Sequence, residues 1–183
     1  ADTTYSDTQL ILFVRNTDAA RDHLQVDDVQ ITYVGEIPDP EDPEPEKEYI
    51  TSLQNKSFEI WSDGKPEAWV GAATNFAASR ILPYTADSHT GSRAVQLVNT
   101  GTSHNRFTSK AYSIEANTEY TVTYWVRGKG EVRNAVYRGS GYSSYSPYTA
   151  VDSEQWQKIT YTFQHTAAVD DVELIFSVRN TGE

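Results

Sequence analysis

The chain carries one strand-like segment twice. Residues 8–17 read TQLILFVRNT and residues 172–181 read VELIFSVRNT, near opposite ends of 183 residues. The shared VRNT, with Leu-Ile ahead of it in both cases, is more than two unrelated β-strands have in common by chance. The chain is therefore read as parts of two copies of one repeat. The first segment continues into DAARDHLQVDDVQITYVG, whereas the second stops at VRNTGE. The predicted organisation is a C-terminal hairpin of a preceding repeat over 1–35, a linker over 36–48, and a module over 49–183 that lacks its own last strand.

A missing last strand leaves a sheet edge, and an unpaired edge is a template for another strand. The segment HLQVDDVQITYV, residues 23–34, is the right one to fill it. Two routes are open. The strand can fold back within the chain, because a 13-residue linker reaches roughly 40 Å at about 3.1 Å per residue. It can also enter a neighbouring molecule, giving a swapped homo-oligomer or a head-to-tail chain.

The linker, EIPDPEDPEPEKE, holds seven acidic residues and one Lys, so it supplies −6 of a net charge of −11. Pro38, Pro40, Pro43 and Pro45 lock the backbone while like charges repel, so an extended, solvated spacer is expected. The remainder is only mildly acidic and shows no basic cluster of the kind that tracks nucleic acid. Nucleic acid is accordingly disfavoured as a partner, and no apolar run approaches the roughly 20 residues of a membrane helix. With no Cys, the chain has neither a disulfide framework nor a thiolate metal site. It also lacks Met, which suggests a fragment of a larger precursor.

Strand patterns recur along the module, as in SFEIW, EAWVG, SRILPY, RAVQLV, RFTSKAYSI, EYTVTYWVRG, EVRNAVYRG, QKITYTF and VELIFSVRN. Turn residues separate them and no stretch keeps a helical period, which predicts an all-β antiparallel β-sandwich of jelly-roll type. GKGE at 128–131 is expected to be a hairpin turn. In EYTVTYWVRG, Tyr120, Val122, Tyr124 and Val126 share one face and read as core, while Thr121, Thr123, Trp125 and Arg127 share the other.

The ordered motifs NKSFEIWSDGKPEAWVGA, SHTGSRAVQLV, NTEYTVTYWVRG and EQWQKITYTF, together with LQVDDVQI, resemble jelly-roll carbohydrate-binding modules of the family 4, 9 and 22 type. The FEIWSDGKPEAW version is also similar to accessory domains attached to secreted bacterial nucleases and other extracellular enzymes. The resemblance implies a secreted or cell-surface, non-catalytic module that binds a polysaccharide or glycan and positions an attached enzyme. It further implies a structural calcium (Ca2+) site, with Glu59 and Asp27 or Asp28 as carboxylate ligands and backbone carbonyls near Ser92.

Sugar modules set aromatic rings against C–H faces and use polar groups for hydroxyls. Thr123, Trp125 and Arg127 suit such a floor. Tyr137, Tyr142, Tyr145 and Tyr148, in EVRNAVYRGSGYSSYSPYTA, suit a recognition loop rich in Tyr, Ser and Gly, or else pack over a sheet edge. Trp61, Trp69 and Trp156 read as core or rim. No catalytic pattern emerges: there is no GxSxG elbow, His23, His89, His104 and His165 are dispersed, and the pairs Asp27-Asp28 and Asp170-Asp171 fall at strand edges. Two alternatives stay open, a structural or adhesion repeat working by strand exchange and a nucleic-acid-binding accessory domain.

Overall fold

Alternation of apolar and polar residues makes strands, and the structure, a computed structural model, follows that alternation. It describes residues 9–16, 23–34, 50 and 52–180. The expected linker at 36–48 lies outside the described residues. In chain order the strands are β1 (Gln9–Asn16), β2 (His23–Val34), β3 (Trp61–Ser62), β4 (Lys65–Pro66), β5 (Ile81–Tyr84), β6 (Ala94–Val98), β7 (Asn105–Thr108), β8 (Tyr112–Ile114), β9 (Glu119–Arg138), β10 (Tyr142–Ser143), β11 (Thr149–Gln164) and β12 (Val169–Asn180). A 3-10 turn at Ala78–Arg80 is the one helical element among the described residues.

The long strand β9 organises a two-layer sandwich. Its first half lies between β11 and β2, and β6 and β5 follow beyond β2. Its second half pairs with β10 and the start of β11 on one side and with β12 on the other, and β8 follows beyond β12. Both halves turn their even-numbered residues inward. The Tyr124 hydroxyl donates to Asn134 Oδ1 at 3.0 Å, and the Tyr124 ring meets Phe176 of β12 edge-on at 4.7 Å. Odd-numbered residues of the two halves therefore point out of opposite faces.

This geometry corrects the expected hairpin at 128–131. The segment is the bend of one continuous strand, because β11 runs along both arms, pairing Ser153 with Gly128 and Thr149 with Val132. Gly128 makes the bend possible with φ of +113°, a conformation that a side chain disfavours.

The core matches the predicted inward set. Tyr120, Val122, Tyr124 and Val126 are fully buried, as are Leu24, Val26 and Val29 of β2. Trp69 stacks on Phe107 at 5.3 Å and packs against Phe58 at 4.8 Å. Burial of each such side chain stabilises the fold by about 1.5–3 kcal/mol. Trp61 and Trp156 are half-buried. Of the expected strands, SFEIW keeps only Trp61 in the dipeptide β3, and EAWVG forms none: β4 precedes it at Lys65–Pro66, and Trp69 makes only an isolated bridge to Ser109. There Asn55 takes the place of a ladder: its side chain donates to the carbonyls of Ile60 and Glu67 and accepts from the Ile60 N–H.

The repeated segment has one structural address. Leu10 of β1 and Leu174 of β12 both oppose Val136, Val14 and Val178 both oppose Val132, and Arg15 and Arg179 both oppose Glu131. The two strands are also paired with each other in parallel. β2, the strand six residues after β1, lies between β9 and β6, with Val26 opposite Val126 on one side and Val95 on the other.

Candidate ligand-binding faces

The outer face of the first layer carries Thr123, Trp125 and Arg127, the expected floor. Its centre is covered by the chain itself. The His89 ring stacks on Trp125 at 4.1 Å with 19° between planes, and Lys158 Nζ lies 5.6 Å from the Trp125 ring. Arg127 is engaged all round: it binds Asp87, donates to the Tyr84 hydroxyl at 3.0 Å, and lies 5.5 Å from Trp156. Trp156 Nε1 donates to the same Asp87 carboxylate at 3.2 Å. This network holds the loop over the strand and covers one face of the Trp125 ring with His89.

The residues expected to bind calcium sit beside that loop. Glu59 accepts from Ser92 N–H at 2.9 Å, Ser92 Oγ at 2.7 Å and Arg93 N–H at 3.0 Å. Burial works against its ionisation, but the Ser92 and Arg93 donors and the Arg93 charge prevail and hold its carboxyl below the ordinary value. Asp27 Oδ2 accepts from His89 N–H at 2.7 Å and Thr90 N–H at 3.0 Å, and its Oδ1 accepts from Asp28 N–H. Burial raises the Asp27 carboxyl to about 6 against those donors, and the Asp28 charge adds to the rise. Carboxylate oxygens suit calcium, but Glu59 Oε1 and both Asp27 oxygens here accept from N–H groups, while Glu59 Oε2 accepts from the Ser92 hydroxyl. Among the described residues no three acidic or histidine side chains converge.

The outer face of the second layer is different. Loop 139–148 is tied to β9 by paired bonds between Ser146 and Asn134, which brings the predicted tyrosines over the sheet. Tyr137 and Tyr148 pack on Ala73, Ala135 and Ile175, while Tyr142 and Tyr145 are 39% and 49% exposed. Guanidinium groups lie against these rings: Arg106 is 4.9 Å from Tyr142, Arg133 is 4.7 Å from both Tyr145 and Tyr148, and Arg179 is 3.5 Å from Tyr148. His104 Nδ1 is 3.3 Å from the Tyr148 hydroxyl. Behind them Glu173, which is buried, accepts from Ala72 N–H, Ala73 N–H and Thr108 Oγ1, pinning the 71–76 loop to β12.

The structure thus separates the expected site residues. Thr123, Trp125 and Arg127 lie on one outer face and Tyr137, Tyr142, Tyr145 and Tyr148 on the other. It adds Arg106, His104 and Arg179, which no local motif marks. Arg179 was visible only as part of the repeated VRNT.

A two-layer antiparallel sandwich that presents tyrosine rings and polar groups on an outer face has the architecture of a ligand-binding module. Residues 51–182 match the sequence profile of the family described as carbohydrate binding domain, and the chain belongs to that family, of the 4 and 9 type. Its ligand class is carbohydrate, and the family is typically non-catalytic and often extracellular. The matched span leaves out β1 and β2. No curated protein and no solved structure matches the chain. No helix among the described residues is long and apolar enough to cross a membrane.

Proposed function

We propose that the chain binds a polysaccharide on the Tyr142–Tyr145–Tyr148 face of the second layer. The observation that carries this is exposure: Tyr142 and Tyr145 offer open ring surface, whereas Trp125 lies under His89. Aromatic faces hold sugar C–H surfaces, and neighbouring guanidinium groups read hydroxyls. Affinity electrophoresis against a glycan panel tests the assignment. Tyr145→Ala and Tyr142→Ala are expected to weaken binding about tenfold, a loss of about 1.4 kcal/mol, while Trp125→Ala leaves it within about twofold. The reverse order would move the site to the first layer.

On this reading the module positions an attached secreted enzyme, with the acidic Pro-rich segment as spacer; the family membership supports it. Removing the module from its parent chain is expected to slow action on insoluble polysaccharide and to spare soluble oligosaccharides. Equal losses on both would count against targeting. Calcium at the 87–93 loop stays a proposal, supported by Glu59 and Asp27 reaching the same loop and opposed by the donors those carboxylates already hold.

A second reading, strand exchange between copies, is favoured by one observation: β1 and β12 take the same register on β9. One position holds one strand at a time, so the two copies compete for it and either can take the equivalent position in another molecule. Light scattering over a concentration series tests it. A dimer that disappears when 1–35 are deleted supports exchange, and a monomer at every concentration removes it.

A further inference from the structure

Binding of sugar hydroxyls needs no excess of charge, yet the second-layer face has one. The chain as a whole carries −11, so a cluster of guanidinium groups on one face runs against its balance. Arg106, Arg133 and Arg179 come from three strands and surround Tyr142, Tyr145 and Tyr148. Among the described residues three carboxyl groups lie at or beside this face, Asp171 being close enough to Glu173 for its charge to help raise the Glu173 carboxyl. Glu131 is paired with Arg179 at 2.6 Å. Glu173 is buried and its acid form is favoured, its carboxyl being held at about 8 by burial against the donors from Thr108, Ala73 and Ala72. It contributes little negative charge at neutral pH.

A neighbouring group registers the resulting field. His104 is lowered to about 4, first by burial and then by the charges of Arg133, Arg106 and Arg179 together. Arg106 spends its Nε on the Ala73 carbonyl and forms no ion pair among the described residues. Stacking on a ring leaves the N–H edge of a guanidinium facing sideways, in the plane where it forks a carboxylate or a sulfate.

We propose that the polysaccharide bound on this face is acidic, its sugar rings lying on Tyr142 and Tyr145 and its carboxylate or sulfate groups meeting Arg106 and Arg133. This rests on the carbohydrate-binding reading above and adds the charge of the ligand. Partly desolvated guanidinium pairs beside aromatic rings reward an anion more than a hydroxyl, because charge-assisted hydrogen bonds are roughly twice as strong as neutral ones.

The test uses the full chain and titrates polygalacturonate against its methyl ester, and dextran sulfate against dextran, by calorimetry at two salt concentrations. Poly-glutamate and single-stranded DNA serve as anions that are not polysaccharides. At least about tenfold tighter binding of one acidic polymer than of its neutral counterpart is expected, weakening as salt rises. Polygalacturonate as the tighter ligand assigns carboxylate, and dextran sulfate assigns sulfate. Arg106→Gln and Arg133→Gln, each with unchanged thermal unfolding, are expected to lose about tenfold for the acidic polymer and to flatten the salt dependence. Equal binding of acidic and neutral polymers, still sensitive to Tyr145→Ala, would overturn the charge inference and leave the carbohydrate reading standing. Equal affinity for poly-glutamate or DNA would also overturn it, and binding of no polysaccharide at all would remove both.

Discussion

Gly128→Ala is expected to destabilise the protein well beyond the conformational strain of the substitution, and the excess measures how closely β2 is seated on β9. A Cβ at Gly128 would lie 2.6 Å from the His23 carbonyl oxygen, 3.1 Å from Leu24 Cδ2 and 3.3 Å from Leu24 Cα. The His23 backbone cannot easily retreat, since β2 is paired with β9 on one side and β6 on the other. Strain alone is calibrated by Gly64, which has φ of +74° and nothing within 4 Å of an added Cβ. Gly64→Ala is expected to cost about 1–2 kcal/mol, the left-handed penalty for a residue with a side chain. Gly128→Ala carries at least that strain, since φ of +113° lies beyond the left-handed well, plus overpacking of about 1–3 kcal/mol against β2, for a total of at least about 2–5 kcal/mol. Urea unfolding of both variants and the parent gives the difference directly. Equal costs would show that β2 does not press on the bend of β9, and the described docking of the N-terminal strand would be wrong.

The Asp27 carboxyl, raised to about 6 from 3.8, makes stability depend on pH with a definite sign. Between those values the unfolded chain has released its proton while the native chain keeps it, so this group's contribution falls as pH rises and is flat above about 6. The displacement corresponds to about 3 kcal/mol. Asp27→Asn is expected to remove that slope; identical pH profiles for variant and parent between pH 4 and 6 would refute it. Calcium is tested by thermal unfolding with calcium and then with EDTA. A midpoint that rises with calcium and falls back with EDTA is expected if the ion binds at the 87–93 loop, and an unchanged midpoint removes that proposal.

Much of the fold could be read locally because a strand's side chains alternate with a period of two. Tyr120, Val122, Tyr124 and Val126 declared the inward face of β9 without any knowledge of its partners, and Thr123, Trp125 and Arg127 the outward one. The repeated LILFVRN and ELIFSVRN likewise marked two segments with one structural address. Where β9 bends was misread. Gly-Lys-Gly looks like a hairpin turn in sequence, and only the pairing of β11 along both arms shows one strand continuing through it.

That bend is also why the site could not be assembled from sequence. Trp125 and Arg133 are eight residues apart on the same side of one strand, so alternation alone would put them on one surface. Bending at Gly128 carries the two halves into different layers and sends these side chains out of opposite faces. The sequence by itself determined the all-β architecture, the inward-facing core and the recurrence of one strand, since each depends on neighbours along the chain. Tertiary structure decided which tyrosines stay open, that His89 covers Trp125, and that Arg106, Arg133 and Arg179 meet around Tyr142, Tyr145 and Tyr148. Those meetings join residues dozens of positions apart, and only the closing of the two layers brings them within reach.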